Sequence, residues 1–326
     1  MSTGRCLILG GNGFIGSHLA ELLLEKGFEV RIFSRSANLS SGLIGIKDAV
    51  EYCAGDFADA EAVARAVKGC DYVCHLVSTT VPTTSDHDVI VDTSSNLIST
   101  LKLLEICVRE SVKQLIFSSS GGTVYGRVEK EDQPISEGHP TLPQCSYGIV
   151  KVAIESYLEL FRVRYGLDYT VLRISNCYGP RLPLSGEQGV VGIFLTRLRR
   201  GEPIILWGDG SVTRDYIYVS DVAAAFLAAL GQKSPFRVFN VGTGVGTSLL
   251  HLIRTIERQT GCSFQIIEKP SRAIDVPVNI LDTTRARTAL SWESATSLEQ
   301  GLLNTWNWIR QELPQALNTA IGHSHE

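Results

Sequence analysis

The sequence predicts an α/β fold: a doubly wound parallel sheet followed by a smaller mixed α/β lobe. Three observations carry this. Strand-like and helix-like segments alternate through the first half, the strands read as unbroken apolar runs, and a glycine-rich turn follows the first of them. Unbroken Val/Ile/Leu/Phe runs suit strands buried on both faces, as in a parallel sheet. Alternation of such strands with helices winds crossovers onto both sides of the sheet.

In order, the strands are Cys6–Gly10, Glu29–Ser34, Val50–Gly55, Asp71–Leu76, Gln114–Ser120 and Asp168–Ser175. The helices between them include Ile15–Lys26, Ala60–Val67, Ser95–Arg109 and Tyr147–Tyr165. In the first helix Ile15, Leu19, Leu22 and Leu23 fall on one face. After about Gly179 the rhythm breaks, and short strands (Pro203–Trp207, Arg237–Val241, Phe264–Ile267) mix with helices and Gly/Pro turns. This predicts a first domain over 1–178, a lobe over 179–315 packed on it without a linker, and a frayed tail over 316–326.

The chain has 326 residues, 44% of them hydrophobic, which is ample for a substantial core. With 20% charged residues and a net charge of −4, nothing global points to nucleic acid or an anionic membrane. An anionic substrate therefore needs a local cluster of Arg or Lys. No apolar stretch of about 18 residues occurs, which predicts no membrane span. The N-terminus lacks the apolar core of a signal peptide, so a cytoplasmic protein is expected. The eight cysteines lie mostly in apolar runs without CxxC spacing, which predicts free thiols in a reducing compartment and no metal site.

Leu7-Ile8-Leu9-Gly10-Gly11-Asn12-Gly13-Phe14-Ile15-Gly16 reads as strand, turn and helix start. Gly10, Gly13 and Gly16 are what a tight turn needs if the backbone is to approach a pyrophosphate seated on helix amides. A merely structural turn is the competing reading, but the placement between a first strand and an amphipathic helix favours a dinucleotide. Phe14 and Ile15 open that helix, and Phe57 and Leu76, after the third and at the end of the fourth strand, are further candidate contacts. The end of the second strand, about 20 residues on, usually carries an acid for the adenosine ribose. Ser34 and Arg35 stand there instead. NAD is the expected cofactor, and this departure leaves NADP open; Arg35 as a plain loop cation fits equally well. Asp56 can accept from an adenine amino group or cap the next helix, a role for which Asp59 competes.

Tyr147 and Lys151 are four residues apart, so a helix presents them on one face. A tyrosine with an ordinary pKa of about 10 is a poor base at neutral pH. A lysine cation and a positive nicotinamide ring nearby both favour tyrosinate. The spacing alone is weak. Its weight comes from the strand Leu115–Ser120, which ends in hydroxyls at the carboxyl edge of the sheet, where open α/β sheets bind ligands.

The segments GGNGFIGSHL, GDF, HLVS, the Asn96 helix, SSSGGTVYG, SYGIVK, LRISNCYGP, GDGSVTRDYIYVSDV, FNVGTG and SRAIDVP span nearly the whole chain. Together they resemble the extended short-chain dehydrogenase/reductase family, a Rossmann-fold group, and within it the NAD-dependent nucleotide-sugar epimerases. The resemblance implies Tyr147 as base and Lys151 as its electrostatic partner, which also holds the nicotinamide ribose. It implies sugar contacts from Ser120 and Thr123, and a grip on the substrate diphosphate by Asn176, Arg214 and Arg272. Arg forks match a bidentate phosphate. Salt bridges of Arg214 with Asp215 or Asp221, and of Arg272 with Asp275, are the competing readings.

The chain departs from the family at Gly121-Gly122, where many members have one small residue. Either Ser119 or Ser120 can then be the catalytic hydroxyl, and ungapped alignment from the strand start favours Ser120. Sugar dehydratases of the family carry an Asp-Glu pair in this segment, which is missing here. Asn279, four residues after Asp275, matches a position that bounds the hexose pocket. Its intermediate size predicts glucose and galactose as the main sugars, with N-acetylhexosamine activity beside them, and the resemblance implies UDP as the carrier nucleotide. The expected reaction is epimerisation at C4 through a transient 4-keto sugar with tightly held NAD. The alternatives are an NADPH-dependent ketosugar reductase and a non-catalytic dinucleotide sensor; the intact Tyr/Lys pair argues against the sensor. His75, Trp306 and Trp308 read as structural. The resemblance also implies a homodimer through the helices of Asn96 and Tyr147. The stripe Leu97, Leu101, Leu104, Val108 suits that interface or the chain's own sheet.

Overall fold

The computed structural model describes residues 4–184, 189–272 and 276–313; the expected frayed tail lies outside the described residues. In chain order the first elements are β1 (Arg5–Leu9), α1 (Phe14–Glu25), β2 (Glu29–Ser34), β3 (Val50–Ala54), α2 (Ala60–Val67), β4 (Tyr72–His75), α3 (Val89–Asp92) and α4 (Ser99–Arg109). Next come β5 (Gln114–Ser120), α5 (Ser146–Tyr165), β6 (Asp168–Ile174), β7 (Asn176–Tyr178), α6 (Val190–Arg200), β8 (Ile204–Trp207), β9 (Thr213–Tyr218) and α7 (Val219–Ala229). The last are β10 (Val238–Val241), β11 (Gly246–Ser248), α8 (Leu249–Thr260), β12 (Ile266–Lys269), β13 (Val278–Asn279), α9 (Thr284–Leu290) and α10 (Leu298–Glu312).

Seven strands form one sheet in the order β10-β6-β5-β4-β1-β2-β3, with every neighbouring pair parallel. Successive side chains of a strand point to opposite faces, and here both faces are covered. Leu7, Leu9, Phe33, Val73, Leu115 and Phe117 pack with α2, α4 and α5. Cys6, Ile8, Val30, Ile32, Cys74 and Ile116 pack with α1 and α7. That double cover is why the strands read as unbroken apolar runs. β4 and β1 end beside each other at the centre of the sheet, so the loops after β1, β4 and β5 share one carboxyl edge.

The lobe is built from β11-β9-β13, with β7 on β9, and from the pair β12-β8. Its own core gathers Tyr178, Phe194, Leu195, Ile204, Leu206, Ile256 and Trp306. Trp308 packs against that core from the same helix.

Two elements differ from the expectation. Sequence reasoning assigns Arg237–Val241 to the lobe, yet β10 is an edge strand of the large sheet beside β6. Phe239 and Val241 are fully buried there and extend the layer beneath α7, so the chain returns to the sheet well beyond residue 179. The helix of Asn96 is not regular throughout: Thr93–Ile98 is a π-helical stretch before α4 begins. Leu97, Leu101, Leu104 and Val108 pack into the chain's own core, which places that stripe against the sheet. Among the described residues, no helix is long and apolar enough to cross a membrane.

Candidate active site

Gly10 turns the chain out of β1 at φ +83°, a left-handed value that favours glycine. Its N–H is held by Phe33 O at 2.9 Å, and its carbonyl receives Gly13 N at 3.0 Å. A Cβ on Gly16 would lie 2.4 Å from Gly10 O and 2.6 Å from Gly11 Cα, so only glycine lets α1 start this close to the turn. The helix has no side-chain cap at Gly13 and no acid in its first turn. Its N-terminus thus keeps its positive end for an external anion. This cradle fits the pyrophosphate of a dinucleotide.

Gly10, Gly13, Ser34, Arg35, Asp56, Phe57 and Leu76 line one hollow beside the turn. Asp59, not Asp56, caps α2, accepting from Glu61 N and Ala62 N at 2.9 and 3.1 Å. Asp56 holds Ala58 N at 2.8 Å and lines the hollow. Asn12 is a residue that sequence reasoning passes over, yet it shapes the rim: its side chain bonds Asn38 O at 3.0 Å and Ser40 N at 2.7 Å. An Asn inside a glycine motif is the signal that could have found it.

Gly13, Phe14, Ile15 and Gly16 continue into a second hollow with Ser78, Thr80, Val81, Ser118, Tyr147 and Lys151. A third adjoins it, where Tyr147 and Ser120 meet Pro82, Thr83, Cys177, Leu182 and Pro183. Tyr147 and Lys151 sit one turn apart on α5. The Nζ of Lys151 lies 5.2 Å from the Tyr147 ring centre and 4.7 Å from that of Phe117, and donates to Ser118 O at 2.9 Å. Burial dominates both titrations. It pushes Tyr147 up to about 12, with Cys145 and Asp92 acting the same way and a hydrogen bond with Ser78 opposing. It pulls Lys151 down to about 8, against the acids Glu155 and Asp92. The expected lowering of Tyr147 by Lys151 is therefore outweighed in the protein alone.

Ser119 and Ser120 part at the strand end. Ser119 donates to Glu155 Oε1 at 2.5 Å, on a carboxylate paired with Arg173 at 2.6 Å, all of it buried. Both serines border the Tyr147 hollow, but the Ser119 hydroxyl is committed to that cluster. Thr123 is close by in chain, and its Oγ1 is buried without a hydrogen-bond partner. His75 is buried, and burial pulls it down to about 3. Its Nε2 meets Thr100 Oγ1 at 2.9 Å, and that hydroxyl donates onward to Asn96 O at 2.6 Å. His75 therefore donates from Nε2 as a neutral structural group.

The lobe residues lie on neighbouring strands. Asn176 on β7 donates to Asp215 O at 3.0 Å, Arg214 on β9 donates to Thr213 O at 2.9 Å, and Asn279 on β13 is paired in register with Arg214. The carboxylate of Asp215 is taken up by Thr243, Gly244 and Leu281, and that of Asp221 by Thr296. Asp275, the alternative partner of Arg272, lies outside the described residues. Arg272 lies over the Trp207 ring at 5.1 Å, with Lys269 at 5.2 Å from the same ring. Sequence reasoning misses Trp207, which reads there only as a strand end. Asn279 is 2% exposed and donates from Nδ2 to Gly121 O at 3.2 Å, which ties β13 to the Gly121-Gly122 turn.

A parallel sheet with this glycine cradle and a Tyr/Lys pair at its carboxyl edge defines a short-chain dehydrogenase/reductase type of enzyme. The profile of the NAD dependent epimerase/dehydratase family matches residues 6–242. The chain belongs to that family. The UDP-glucose 4-epimerase of Thermotoga maritima, solved with UDP-glucose, is similar at 38% identity and a TM-score of 0.89, covering 94% of this chain and 99% of that one. The UDP-glucose 4-epimerase of Thermus thermophilus, solved with NAD, is similar at 33% identity and a TM-score of 0.87, covering 95% and 100%. Similarity is not confined to epimerases: a dTDP-4-dehydro-6-deoxyglucose reductase of Escherichia coli is 32% identical over 310 residues, 91% of this chain and 94% of its own.

Proposed function

We propose that the protein is a nucleotide-sugar 4-epimerase that interconverts UDP-glucose and UDP-galactose. The observation that carries this reading is the shared hollow of Gly13, Gly16, Tyr147 and Lys151, continuous with the one bounded by Ser120 and the lobe loop of Leu182 and Pro183. Likeness to the Thermotoga enzyme supplies the sugar and the carrier nucleotide.

In this reading, bound NAD supplies a hydride acceptor and a positive charge beside Tyr147. Gly10, Gly13 and the first turn of α1 hold its pyrophosphate; Ser34, Arg35 and Asp56 border its adenosine end. Tyr147 takes the proton of the C4 hydroxyl, which Ser120 orients, and Lys151 stabilises the tyrosinate. The resulting 4-keto sugar turns in the hollow; the hydride held by the cofactor would then return to its other face at C4 while Tyr147 gives back the proton. Arg214, Arg272 and Asn176 hold the diphosphate, with Trp207 offering an aromatic face beside Arg272. Asn279 acts on sugar choice through the turn it supports. Comparing turnover of UDP-galactose and UDP-N-acetylgalactosamine tests this: conversion of the first is required, and the second is expected at a lower rate.

The reading also sets a pH dependence. Lys151 loses its proton near pH 8, and with it the charge that stabilises tyrosinate. With Tyr147 brought below Lys151 by the positive charge of bound NAD, the kcat profile is expected to rise on the acid side as Tyr147 ionises and to fall on the alkaline side from about pH 8. Lys151→Arg, permanently charged, is expected to remove that limb even if the overall rate drops. An identical alkaline limb in the variant would assign it elsewhere.

A second reading, an NADPH-dependent ketosugar reductase, is favoured by Ser34 and Arg35 at the adenosine end and by the Escherichia coli relative. Stoichiometric NADPH oxidation on a 4-keto sugar nucleotide, without epimerisation, is its test. We also propose a homodimer through α3, the π stretch and α5, where Val89, Ile90, Val91, Ile98, Ile149, Leu160 and Val163 are exposed apolar residues. Sedimentation is expected to give twice the chain mass, and a monomer at all concentrations would contradict it.

A further inference from the structure

Asp92 ends α3 just ahead of the π-helical stretch and is fully buried. Such π turns inside helices are rare and concentrate at functional sites. Its carboxylate joins three segments. Oδ1 accepts from the Thr80 hydroxyl, and from Asn96 Nδ2 at 2.9 Å. Oδ2 accepts from Ser146 Oγ at 2.5 Å. Thr80 belongs to the loop after β4 that lines the Tyr147 hollow, and Asn96 also holds this loop by accepting from Thr79 N at 2.9 Å. Ser146 is the first residue of α5 and the immediate neighbour of Tyr147. Cys145, in the capping position of α5, makes no side-chain cap. The first turn is held instead by Asp86, which accepts from Ser146 N at 2.7 Å, and by Asp92.

Proton transfer by Tyr147 does not require Asp92. A buried carboxylate beside a phenol that must ionise opposes that ionisation, so its presence there calls for another role. We propose that Asp92 is a positioning residue: through Ser146 and Thr80 it ties the first turn of α5 to the loop after β4, so that the place of the Tyr147 hydroxyl and the wall of its hollow are set together. This rests on the reading of Tyr147 as base. The other titratable groups around the bridge are Asp86 before α3, Cys145, Lys151 and Glu155 on or at the start of α5, and His75 at the end of β4.

The test uses the NAD-loaded protein with Ser146→Ala and Asp92→Asn. Both are expected to lower kcat by about tenfold to a hundredfold, as a small misplacement of a reacting group does, with KM little changed. Asp92→Asn should in addition move the acid limb of kcat to lower pH, because a negative neighbour of the tyrosine is removed; Ser146→Ala should not. A loss of thermal stability with kcat and the acid limb both unchanged would reduce Asp92 to a structural role and overturn the proposal. Hydrogen exchange over residues 145–151 needs no turnover: it should quicken in both variants, and unchanged exchange overturns the bridge. If the wild-type protein converts no nucleotide sugar, the epimerase reading fails, while the exchange experiment still decides the bridge.

Discussion

Tyr147→Phe is expected to lower kcat by about 10²–10⁴-fold, the usual contribution of a positioned acid–base group, and to leave NAD affinity unchanged. The variant keeps the ring and loses only a hydroxyl that faces the hollow lined by Ser78 and Lys151. The glycine cradle is separate from it, so dinucleotide titration should match the wild type. Two other titratable groups by the site do not substitute. His75 is neutral, buried and committed to Thr100. Lys151 donates to Ser118 O and stands beside the tyrosine rather than past it. Wild-type turnover in this variant would remove Tyr147 from the chemistry altogether.

Glu155→Ala is expected to be the most destabilising single change around the site. Glu155 and Arg173 each retain 8% of their side-chain exposure and pair at 2.6 Å. Removing one partner of a buried pair leaves an uncompensated charge, at a cost of about 3–5 kcal/mol. It also frees the Ser119 hydroxyl and loosens Tyr125, which receives Arg173 Nη1 at 3.0 Å and donates to Asn240 at 2.6 Å. A fall in Tm of roughly 4–7 °C follows. Replacing both partners by leucine should recover part of the loss, because the unpaired charge is gone. If Glu155→Ala melts like the wild type, the cluster is not what holds the end of β5.

The glycine cradle and the Tyr147/Lys151 pair are legible in the sequence because their geometry is local: a turn and one helical face fix them. The large sheet is legible because burial on both faces leaves unbroken apolar runs. What the sequence does not resolve depends on distant partners. Ser119 and Ser120 are equivalent as neighbours in a strand, and the distinction lies in Glu155, 36 positions away. β10 reads like any short lobe strand until β6 receives it. The bond of Asn279 to Gly121 O joins residues 158 positions apart, which no local pattern reveals. Burial pushes Tyr147 upward in the protein, an effect that charge reasoning from the sequence leaves out.

The most direct test of the central claim starts from UDP-galactose deuterated at C4, mixed with purified protein and no added dinucleotide. The account predicts UDP-glucose carrying deuterium at C4, since the hydride leaves and returns on NAD that stays in the cradle. No product, or UDP-glucose that has lost its deuterium to solvent, would contradict it.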